Sequence, residues 1–331
     1  MKYVLTDQTI RYNGRTLYRI KALKDFNDVA KDELGGFVES YDNLSQRNNC
    51  WIYRDAKVYR DAKVYGNAKV YGNAKVYGNA EVYGNAEVFD NAKVYGNAEV
   101  YGNAEVYGNA KVYGNAKVFD NAEVFDNAEV FDNAKVFDNA KVFETAEVYG
   151  DAVVYGNAKV FDNAKVYGNA KVYGNAKVYD KAEVYDKVEV FGEAQIYNEA
   201  QIYGNAEVYG NAKVYGNAKV YDKAEVFDQA KVFDNAEVYY EAKICANTIV
   251  CSDIKISNTN DILFINLARY ITFYRCEDDI RCTIGCQCVI TIEEFKERIY
   301  KNGNYTEVTL PKHRKDYLLA IEFAKKYFKV D

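Results

Sequence analysis

Residues 65–88 read YGNAKVYGNAKVYGNAEVYGNAEV, which is four copies of one hexapeptide without an insertion. The same unit, N-A-K/E-V-Y/F-G/D, runs from residue 55 to residue 244 as 32 consecutive copies. A period of six residues excludes a long helix, because the apolar stripe of a helix recurs every 3.6 residues. The pattern instead predicts a strand of about four residues followed by a two-residue corner.

Side-chain alternation along A-K-V-Y predicts that Ala and Val face the interior, while Lys or Glu and Tyr or Phe face outward. Gly-Asn or Asp-Asn then turns the chain, because these residues tolerate the positive φ of a corner. Strands this short find hydrogen-bond partners only in the coils above and below. The repeat therefore predicts a parallel β-solenoid.

The unit V-Y-G-N-A-K places an aliphatic residue four positions before a small one, and in this it resembles the hexapeptide-repeat proteins, which form left-handed parallel β-helices. The resemblance implies coils of three hexapeptides, roughly 18 residues each. The 32 units then make about 11 coils. The flanks LGGFVESYDNLSQRNNCWIY and ITFYRCEDDIRCTIGCQC look similar to a bacterial and phage-borne subfamily of YdcK-like proteins that are often labelled as transferases.

Three segments follow from this pattern. We expect an N-terminal β-hairpin cap over residues 1–40, with Asn13-Gly14 as its turn. Residues 41–256 form the hexapeptide-repeat β-helix, and residues 257–331 a small α+β domain. In that domain we predict three strands, at Ile262–Leu267, Ile271–Tyr274 and Arg281–Ile290. A capping box at Thr291–Glu294 opens a helix, and a last helix begins at about Lys312.

Composition excludes several classes of protein. The 43 basic and 49 acidic residues give a net charge of −6, unlike the basic footprint of a nucleic-acid binder. Residues 50–256 hold 23 basic and 31 acidic groups, too few negative charges for a DNA mimic. No apolar run is long enough to cross a membrane, and the N-terminus lacks the apolar stretch of a signal peptide. Seven cysteines without secretory context predict reduced thiols and a cytoplasmic protein.

With three hexapeptides per coil, the aromatic positions stack into three external columns. We interpret these columns as chiefly structural, since stacked rings stabilise one another. The alternative is a flat aromatic face that binds a sugar or another rod. The candidate column for such a face is Tyr59, Tyr77, Tyr95, Tyr113, Phe131, Tyr149, Tyr167, Tyr185, Tyr203, Tyr221 and Tyr239.

Many hexapeptide proteins are acyltransferases, in which a histidine serves as general base and acyl-CoA lies between neighbouring rods. The one histidine here, His313, lies beyond the repeat in the run KHRKD, which predicts a solvated residue near a helix start. One histidine also cannot supply the zinc ligands of a carbonic-anhydrase-like site. The sequence therefore assigns no catalytic residue and no cofactor.

Four cysteines, Cys276, Cys282, Cys286 and Cys288, are the candidate metal ligands. Their spacing lacks the paired C-x2-C knuckles of a zinc site. If Arg281–Ile290 is one strand, the last three share a face and are expected to be buried thiols that act as small hydrophobic groups. Cys245 and Cys251 occupy aromatic-column positions, where we expect the C-terminal domain to cover them.

The sequence favours a non-catalytic, rod-shaped scaffold or binding module that mediates protein interaction or assembly. Its expected partner is another protein or a second copy of itself, not nucleic acid or membrane. Two alternatives stay open. One is an acyl-CoA-dependent acyltransferase with its site in a terminal domain or at an oligomer interface, and the other is a phage or host-interaction protein that acts through the C-terminal domain.

Overall fold

A computed structural model describes residues 1–276, 279–284, 287–300 and 310–330. The chain forms two compact units, Met1–Asp186 and Lys187–Asp331. In both units the hexapeptides wind into a solenoid of parallel strands, which confirms the predicted fold class.

The repeat of the first unit forms three parallel sheets, which we call faces 1, 2 and 3. Face 1 contains the strands Lys57–Tyr59, Lys75–Tyr77, Lys93–Val94, Lys111–Val112, Glu129–Val130, Glu147–Val148, Lys165–Val166 and Glu183–Val184. Face 2 contains Lys63–Val64, Glu81–Val82, Glu99–Val100, Lys117–Val118, Lys135–Val136, Val153–Val154 and Lys171–Val172. Face 3 contains Trp51–Ile52, Lys69–Val70, Glu87–Val88, Glu105–Val106, Glu123–Val124, Lys141–Val142, Lys159–Val160 and Lys177–Val178.

Pairing between turns is in register at a constant sequence offset of 18, so that Val94 pairs with Val76 on one side and Val112 on the other. The predicted strand length of four residues is wrong, because most strands cover only two. The reason is that the alanine N–H bonds back to the aromatic carbonyl three residues earlier, as from Ala68 to Tyr65 at 3.4 Å, and this bends the chain at each corner. The left-handed winding stays a prediction.

The interior consists of the alanine and valine columns, as the alternation predicted. Both columns have essentially no solvent exposure in either unit. Val142, for example, is fully buried and pairs with Val124 and Val160 in the turns on either side. Each inward side chain therefore packs against its own kind, which gives a narrow core without polar groups.

The corners carry the positive φ that the sequence predicted. Gly84 has a φ of 70°, and where Asp replaces glycine, as at Asp90, φ is 57°. The Asp90 carboxylate accepts a hydrogen bond from the N–H of Gly108, one turn later, at 3.3 Å. Aspartate is therefore tolerated in this conformation, and its carboxylate supplies a hydrogen-bond acceptor for the backbone N–H of the next corner.

The N-terminal segment confirms the predicted hairpin. Strands Tyr3–Tyr12 and Arg15–Ala22 are antiparallel, and Tyr12 pairs with Arg15 across the Asn13-Gly14 turn. Arg15–Ala22 then pairs with Leu34–Val38, which is parallel to Lys57–Tyr59. A short 3-10 helix, Tyr41–Asn43, follows. The hairpin thus extends face 1 and occupies its strand edge.

The first turn departs from the predicted equal coil length. Ile52 pairs with Val70 at the regular offset, whereas Val38 pairs with Val58 and Leu44 bridges to Val64. The last two offsets are longer than the regular one by two positions, so two extra residues lie between Leu44 and Ile52. Gly36 lies in this turn, where its backbone closely approaches that of Ala56. A Cβ at this position would lie 2.5 Å from the carbonyl oxygen of Ala56, so only glycine permits the approach.

The solenoid of the second unit has the same three-sheet construction. Its strands are Gln201–Ile202, Lys219–Val220, Glu237–Val238 and Lys255–Ile256 in one sheet, Glu189–Val190, Glu207–Val208, Glu225–Val226 and Lys243–Ile244 in the next, and Gln195–Ile196, Lys213–Val214, Lys231–Val232 and Ile249–Val250 in the third. A 3-10 helix, Thr259–Asp261, ends this part. Within residues 35–256, which the structure describes without a gap, the two units hold about 12 turns, because the weaker copies around the perfect repeat also form coils.

The C-terminal part of the second unit is the predicted α+β domain. Its antiparallel strands are Ile262–Asn266, Tyr270–Arg275, Ile280–Ile284 and Gln287–Thr291, followed by α1 (Ile292–Tyr300) and α2 (Leu310–Phe328). The Thr291 hydroxyl accepts from the Glu294 N–H at 3.2 Å, and the Glu294 carboxylate accepts from the Thr291 N–H at 2.9 Å, which confirms the capping box. The prediction of a single strand over Arg281–Ile290 is wrong, because Ile280–Ile284 and Gln287–Thr291 are two strands that pair with each other as a hairpin.

We predict that Val142→Asp lowers the free energy of unfolding by about 3–5 kcal/mol, because it buries an unpaired carboxylate between two valines. Damage should spread to adjacent turns without unfolding the whole solenoid, since repeats interact with nearest neighbours. Urea unfolding followed by circular dichroism measures both effects. Val142→Ile is the matched control, because isoleucine already fills equivalent positions at 196, 202 and 244. Equal stability of the Asp and Ile variants would contradict this description of the core.

Candidate functional site: the outward faces of the solenoid

Each turn presents one charged or polar side chain and one aromatic ring on each face. The charged position precedes the inward valine, and the aromatic position follows it. Most of these side chains are half-buried, because they pack against the equivalent residues one turn away. The outward surface is therefore two parallel columns per face, one charged and one aromatic.

The aromatic columns are continuous ladders of stacked rings in each unit. Tyr77 and Tyr95 have centroids 4.9 Å apart with an interplanar angle of 2°, and Phe125 and Phe143 have the same spacing at 1°. In the candidate column, Tyr59 to Tyr185 stack in the first unit, and Tyr203, Tyr221 and Tyr239 stack in the second. The spacing of the turns imposes this geometry, and each pair adds about 0.5–1.5 kcal/mol beyond burial.

The N-terminal hairpin covers the start of the candidate column. The Tyr12 ring contacts Tyr59 edge-on at 5.7 Å, and the ammonium groups of Lys57 and Lys75 lie 5.5 and 5.4 Å from the Tyr12 ring. Tyr59 is only 2% exposed. The ladder is therefore accessible from about Tyr95 onward, and its first ring belongs to the core under the hairpin.

Many tyrosine hydroxyls are fixed by a glutamate of the following turn. In these pairs the hydroxyl donates to the carboxylate of the residue 16 positions later, at 2.7–3.4 Å: Tyr65–Glu81, Tyr71–Glu87, Tyr83–Glu99, Tyr107–Glu123, Tyr113–Glu129, Tyr167–Glu183, Tyr209–Glu225 and Tyr221–Glu237. Partial burial, followed by the neighbouring carboxylate, raises the pKa of Tyr209 to about 12. These bonds couple the charged column to the aromatic ladder.

The corners add a third kind of column. Asparagine side chains form ladders, as where Asn85 donates to Asn103 and Asn103 to Asn121, both at 3.0 Å. An open groove of about 410 Å³ runs beside this corner and is lined by polar residues such as Asp120 and Asp138. The ladder bonds stabilise the corners, since each amide satisfies its neighbours.

A second cavity, of about 490 Å³, lies between the N-terminal segment and face 3. Its lining includes Asp28, Tyr53, Arg54 and Lys69. The Asp28 carboxylate accepts from the Tyr53 hydroxyl at 2.7 Å and from the Lys69 ammonium at 3.1 Å. The polar groups of this cavity therefore bond to one another and fix the loop against the first turns.

Lys2 and Cys50 form a buried pair that the sequence did not reveal. The Lys2 ammonium is 2.7 Å from the Cys50 carbonyl oxygen and 3.2 Å from its sulfur, and it also contacts the Asn48 carbonyl. Burial lowers the pKa of Lys2 and raises that of the Cys50 thiol. The ammonium satisfies carbonyl groups at the start of face 3, so the pair fastens the N-terminus to the first turn.

The candidate cysteine ligands are only partly described. Cys282 is buried, and burial raises the pKa of its thiol to about 12, while Cys276 is half-buried. Cys286 lies outside the described residues, as does the side chain of Cys288. Within the described ranges, no group of three His, Cys, Asp or Glu residues is arranged to hold a metal ion. For Cys282 the environment is that of a small hydrophobic group.

The two cysteines at the end of the repeat differ in their surroundings. Cys251 is fully buried and Cys245 is half-buried. The Ile249 N–H points to the Thr272 hydroxyl at 3.4 Å, so strand Tyr270–Arg275 covers this turn. The expected cover is therefore present at Cys251, and for Cys245 it stays a prediction.

Helix α2 has apolar residues on two sides. Tyr317, Ile321, Ala324 and Phe328 are buried against the rest of the domain, as the helical spacing predicted. Leu319, Phe323 and Tyr327 are 58%, 54% and 41% exposed, and their spacing of four places them along one stripe. His313, near the start of this helix, is half-buried with Nδ1 3.5 Å from Asp316 Oδ2. Within the described residues, no helix is both long and apolar enough to span a membrane.

We predict that the tyrosines bonded to glutamate make the solenoid sensitive to alkali. The ordinary pKa of Tyr209 is 10, and in the folded chain it is about 12. A raised pKa means that the stability contributed by the protonated hydroxyl is complete below pH 10 and is lost as the pH rises through 10 towards 12. Phenolate absorbance should therefore appear together with loss of the β-sheet circular dichroism signal. In Glu225→Gln the Tyr209 pKa should fall, since the carboxylate charge is removed, and titration of all tyrosines near pH 10 with intact structure would contradict this.

Comparison with known proteins agrees with the fold. A family profile described as YdcK Beta solenoid repeat matches residues 200–216. No curated protein matches the chain. The matched segment includes strands Gln201–Ile202, Glu207–Val208 and Lys213–Val214 of the second unit, which make up about one turn of the solenoid. The chain is therefore a β-solenoid repeat protein that contains a segment similar to the YdcK repeat.

Proposed function

We propose that the protein is a non-catalytic scaffold or binding module whose outward faces mediate protein interaction or assembly. The observation that carries this proposal is the periodic surface of each face. Ring stacking at 4.7–5.2 Å and tyrosine–glutamate hydrogen bonds hold the outward side chains in fixed positions. A surface whose side chains are already ordered loses little conformational entropy when a partner binds.

Such a surface is better suited to contact with a second copy of itself or with a complementary protein than to enclosing a small molecule. Ligand sites are usually concave and apolar with a few convergent polar groups. The outward columns here are flat rows of repeated chemistry. A partner that reads them would make the same contact on each turn, so that modest contacts add up along the row.

Capture of partners by the full chain tests this proposal. The chain and the variant Tyr95→Ser/Tyr113→Ser/Tyr149→Ser are compared for the proteins they retain from an extract of the source cells. We expect specific proteins to be lost with the variant, because it removes three accessible rings of the ladder. The matched control Asn97→Ser/Asn115→Ser/Asn133→Ser changes the corner column beside this ladder on three successive turns and should retain them. Identical retention by chain and variants would count against a role for the faces.

Calorimetry with acetyl-CoA separates this proposal from the acyltransferase alternative. We expect no saturable heat at tens of micromolar, since the scaffold proposal needs no acyl-CoA site. Saturable binding that a substitution on a solenoid face abolishes, such as Tyr113→Ser, would overturn the proposal in favour of a transferase.

A second candidate, binding of a protein partner through the C-terminal domain, is favoured by one observation. The stripe of Leu319, Phe323 and Tyr327 on α2 is exposed, and exposed apolar stripes commonly mark protein contacts. Leu319→Ser/Phe323→Ser in the full chain should then lose retained proteins that the Glu322→Ser/Lys325→Ser control on the same helix keeps. If both variants retain the same proteins as the unaltered chain, this candidate fails.

A further inference from the structure

Face 3 of the first unit segregates its charges into two blocks. Glu87, Glu105 and Glu123 follow one another on successive turns, and Lys141, Lys159 and Lys177 occupy the next three: the strand pairing aligns all six in one column. The blocks meet where the Lys141 ammonium contacts the Glu123 carboxylate at 2.7 Å. From Glu87 to Lys177 the column therefore has one acidic half and one basic half, whereas Lys69 on the turn before is paired with Asp28 at 3.1 Å.

This segregation is unfavourable within a single chain. Like charges on neighbouring strands destabilise a sheet, whereas alternating charges would pair. Partial burial, and then the carboxylates of Glu123 and Glu87, raise the pKa of Glu105. Elsewhere a change of sign between turns produces an ion pair, as for Lys117 with Glu99 at 2.8 Å. The inner members of the two blocks have no such opposite charge on an adjacent turn of their own column.

The order of charges is complementary to itself when it is read in reverse. If two copies of face 3 meet with their solenoid axes antiparallel, Glu87 lies opposite Lys177, Glu105 opposite Lys159, and Glu123 opposite Lys141. A two-fold axis that lies in the plane of the face, perpendicular to the solenoid axis, keeps each column at the same position across the face. The charged column of one copy therefore meets the charged column of the other, and the aromatic ladder meets the aromatic ladder. All six positions are then paired with the opposite sign.

Faces 1 and 2 offer shorter versions of this pattern. On each of them the self-complementary run covers four turns, from Lys93 to Glu147 on face 1 and from Glu81 to Lys135 on face 2. Extending the run on face 1 would oppose Lys75 to Lys165, and Lys75 already lies under the Tyr12 ring. Face 3 therefore has the longest complementary run of the first unit, which the structure describes completely.

The aromatic ladder of face 3 is also the richest in phenylalanine. It contains Phe89, Phe125, Phe143 and Phe161, whereas face 1 has only Phe131 and face 2 only Phe119 and Phe137 over the same fully described unit. Phe125, Phe143 and Phe161 stack in succession at 4.9 Å, and they flank the start of the lysine block. These three rings carry no hydroxyl that would lose its hydration when another surface covers them.

We propose that the first unit dimerises through face 3, with the second copy antiparallel and the two-fold axis between the turns of Glu123 and Lys141. The proposal deepens the scaffold function, on which it rests, by identifying a second copy of this chain as the partner. Opposite charges and phenylalanine rings make the contact, so that desolvated ion pairs fix the register and apolar rings supply buried area.

Acidic residues at the rim oppose this dimer. The corner beside face 3 carries Asp90, Asp126, Glu144, Asp162 and Asp180, and the two-fold axis would bring this column near its own copy. Asp126 and Glu144 are exposed, whereas Asp162 and Asp180 are half-buried, and charges exposed to solvent are screened within about 8 Å at physiological ionic strength. The contacting pairs at the centre are screened less, so the central attraction outweighs the repulsion at the rim.

Charge reversal of each block tests the interface. The full chain should sediment as a dimer, and the variants Lys141→Glu/Lys159→Glu/Lys177→Glu and Glu87→Lys/Glu105→Lys/Glu123→Lys should each bind themselves about 100-fold more weakly. An equimolar mixture of the two variants should restore the dimer, because one face is then all acidic and the other all basic. Lys117→Glu/Lys135→Glu/Lys171→Glu, the same charge change on face 2, should remain dimeric. Circular dichroism checks that every variant is folded.

Zero-length carbodiimide cross-linking of the unaltered chain tests the direction. In a dimer of isotope-labelled and unlabelled chains we expect mixed links between Glu105 and Lys159 and between Glu87 and Lys177. Within one copy these pairs are three and five turns apart, about 14 and 24 Å, and cannot be joined directly. A monomeric chain, a dimer that survives both reversals, or a dimer without these links would overturn the proposal. A monomer that still retains proteins through its faces would leave the scaffold function standing and overturn the dimer alone.

Discussion

Everything in the solenoid depends on one constraint, the in-register parallel pairing of each residue with its equivalent three hexapeptides later. The backbone can satisfy its hydrogen bonds only through this pairing, because each strand is two or three residues long and has no partner within its own turn. Once the offset is fixed, valine lies on valine, ring on ring and asparagine on asparagine. Stability then comes from many nearly identical interfaces between turns rather than from one central core.

The same constraint explains why the outward surface differs from turn to turn mainly in its charges. Within residues 55–244 the interior positions hold only Ala, Val or Ile, and the corners hold residues that tolerate positive φ, so these positions vary little. The position before the inward valine accepts either sign at similar cost. The choice between Lys and Glu there decides which turns form ion pairs and tyrosine–glutamate hydrogen bonds. It also decides whether the charges of a face repel or attract those of a second copy of the same face, as the acidic and basic blocks on face 3 illustrate.

The sequence predicted those features that a short repeat unit determines by itself. The inward Ala and Val columns, the stacked rings, the Asn13-Gly14 hairpin and the Thr291 capping box all follow from local spacing. Contacts such as Tyr113 with Glu129 and Lys2 with Cys50 were not predicted, because they join residues that meet only once the turn length and the path of the N-terminus are fixed. The longer first turn escaped prediction because Leu44 and Ile52 are imperfect copies. The break within 281–290 escaped because apolar alternation continues through that segment.

The offset between turns can be measured directly with pairs of nitroxide labels at corner asparagines, in a chain whose native cysteines are replaced by alanine. Labels at Asn103 and Asn121 belong to consecutive rungs of one ladder, whereas Asn103 and Asn115 belong to different corners. We expect strong dipolar broadening of the electron paramagnetic resonance spectrum for the first pair and little for the second. Equal broadening for both pairs, or broadening for Asn103 with Asn115 alone, would contradict the parallel in-register stack.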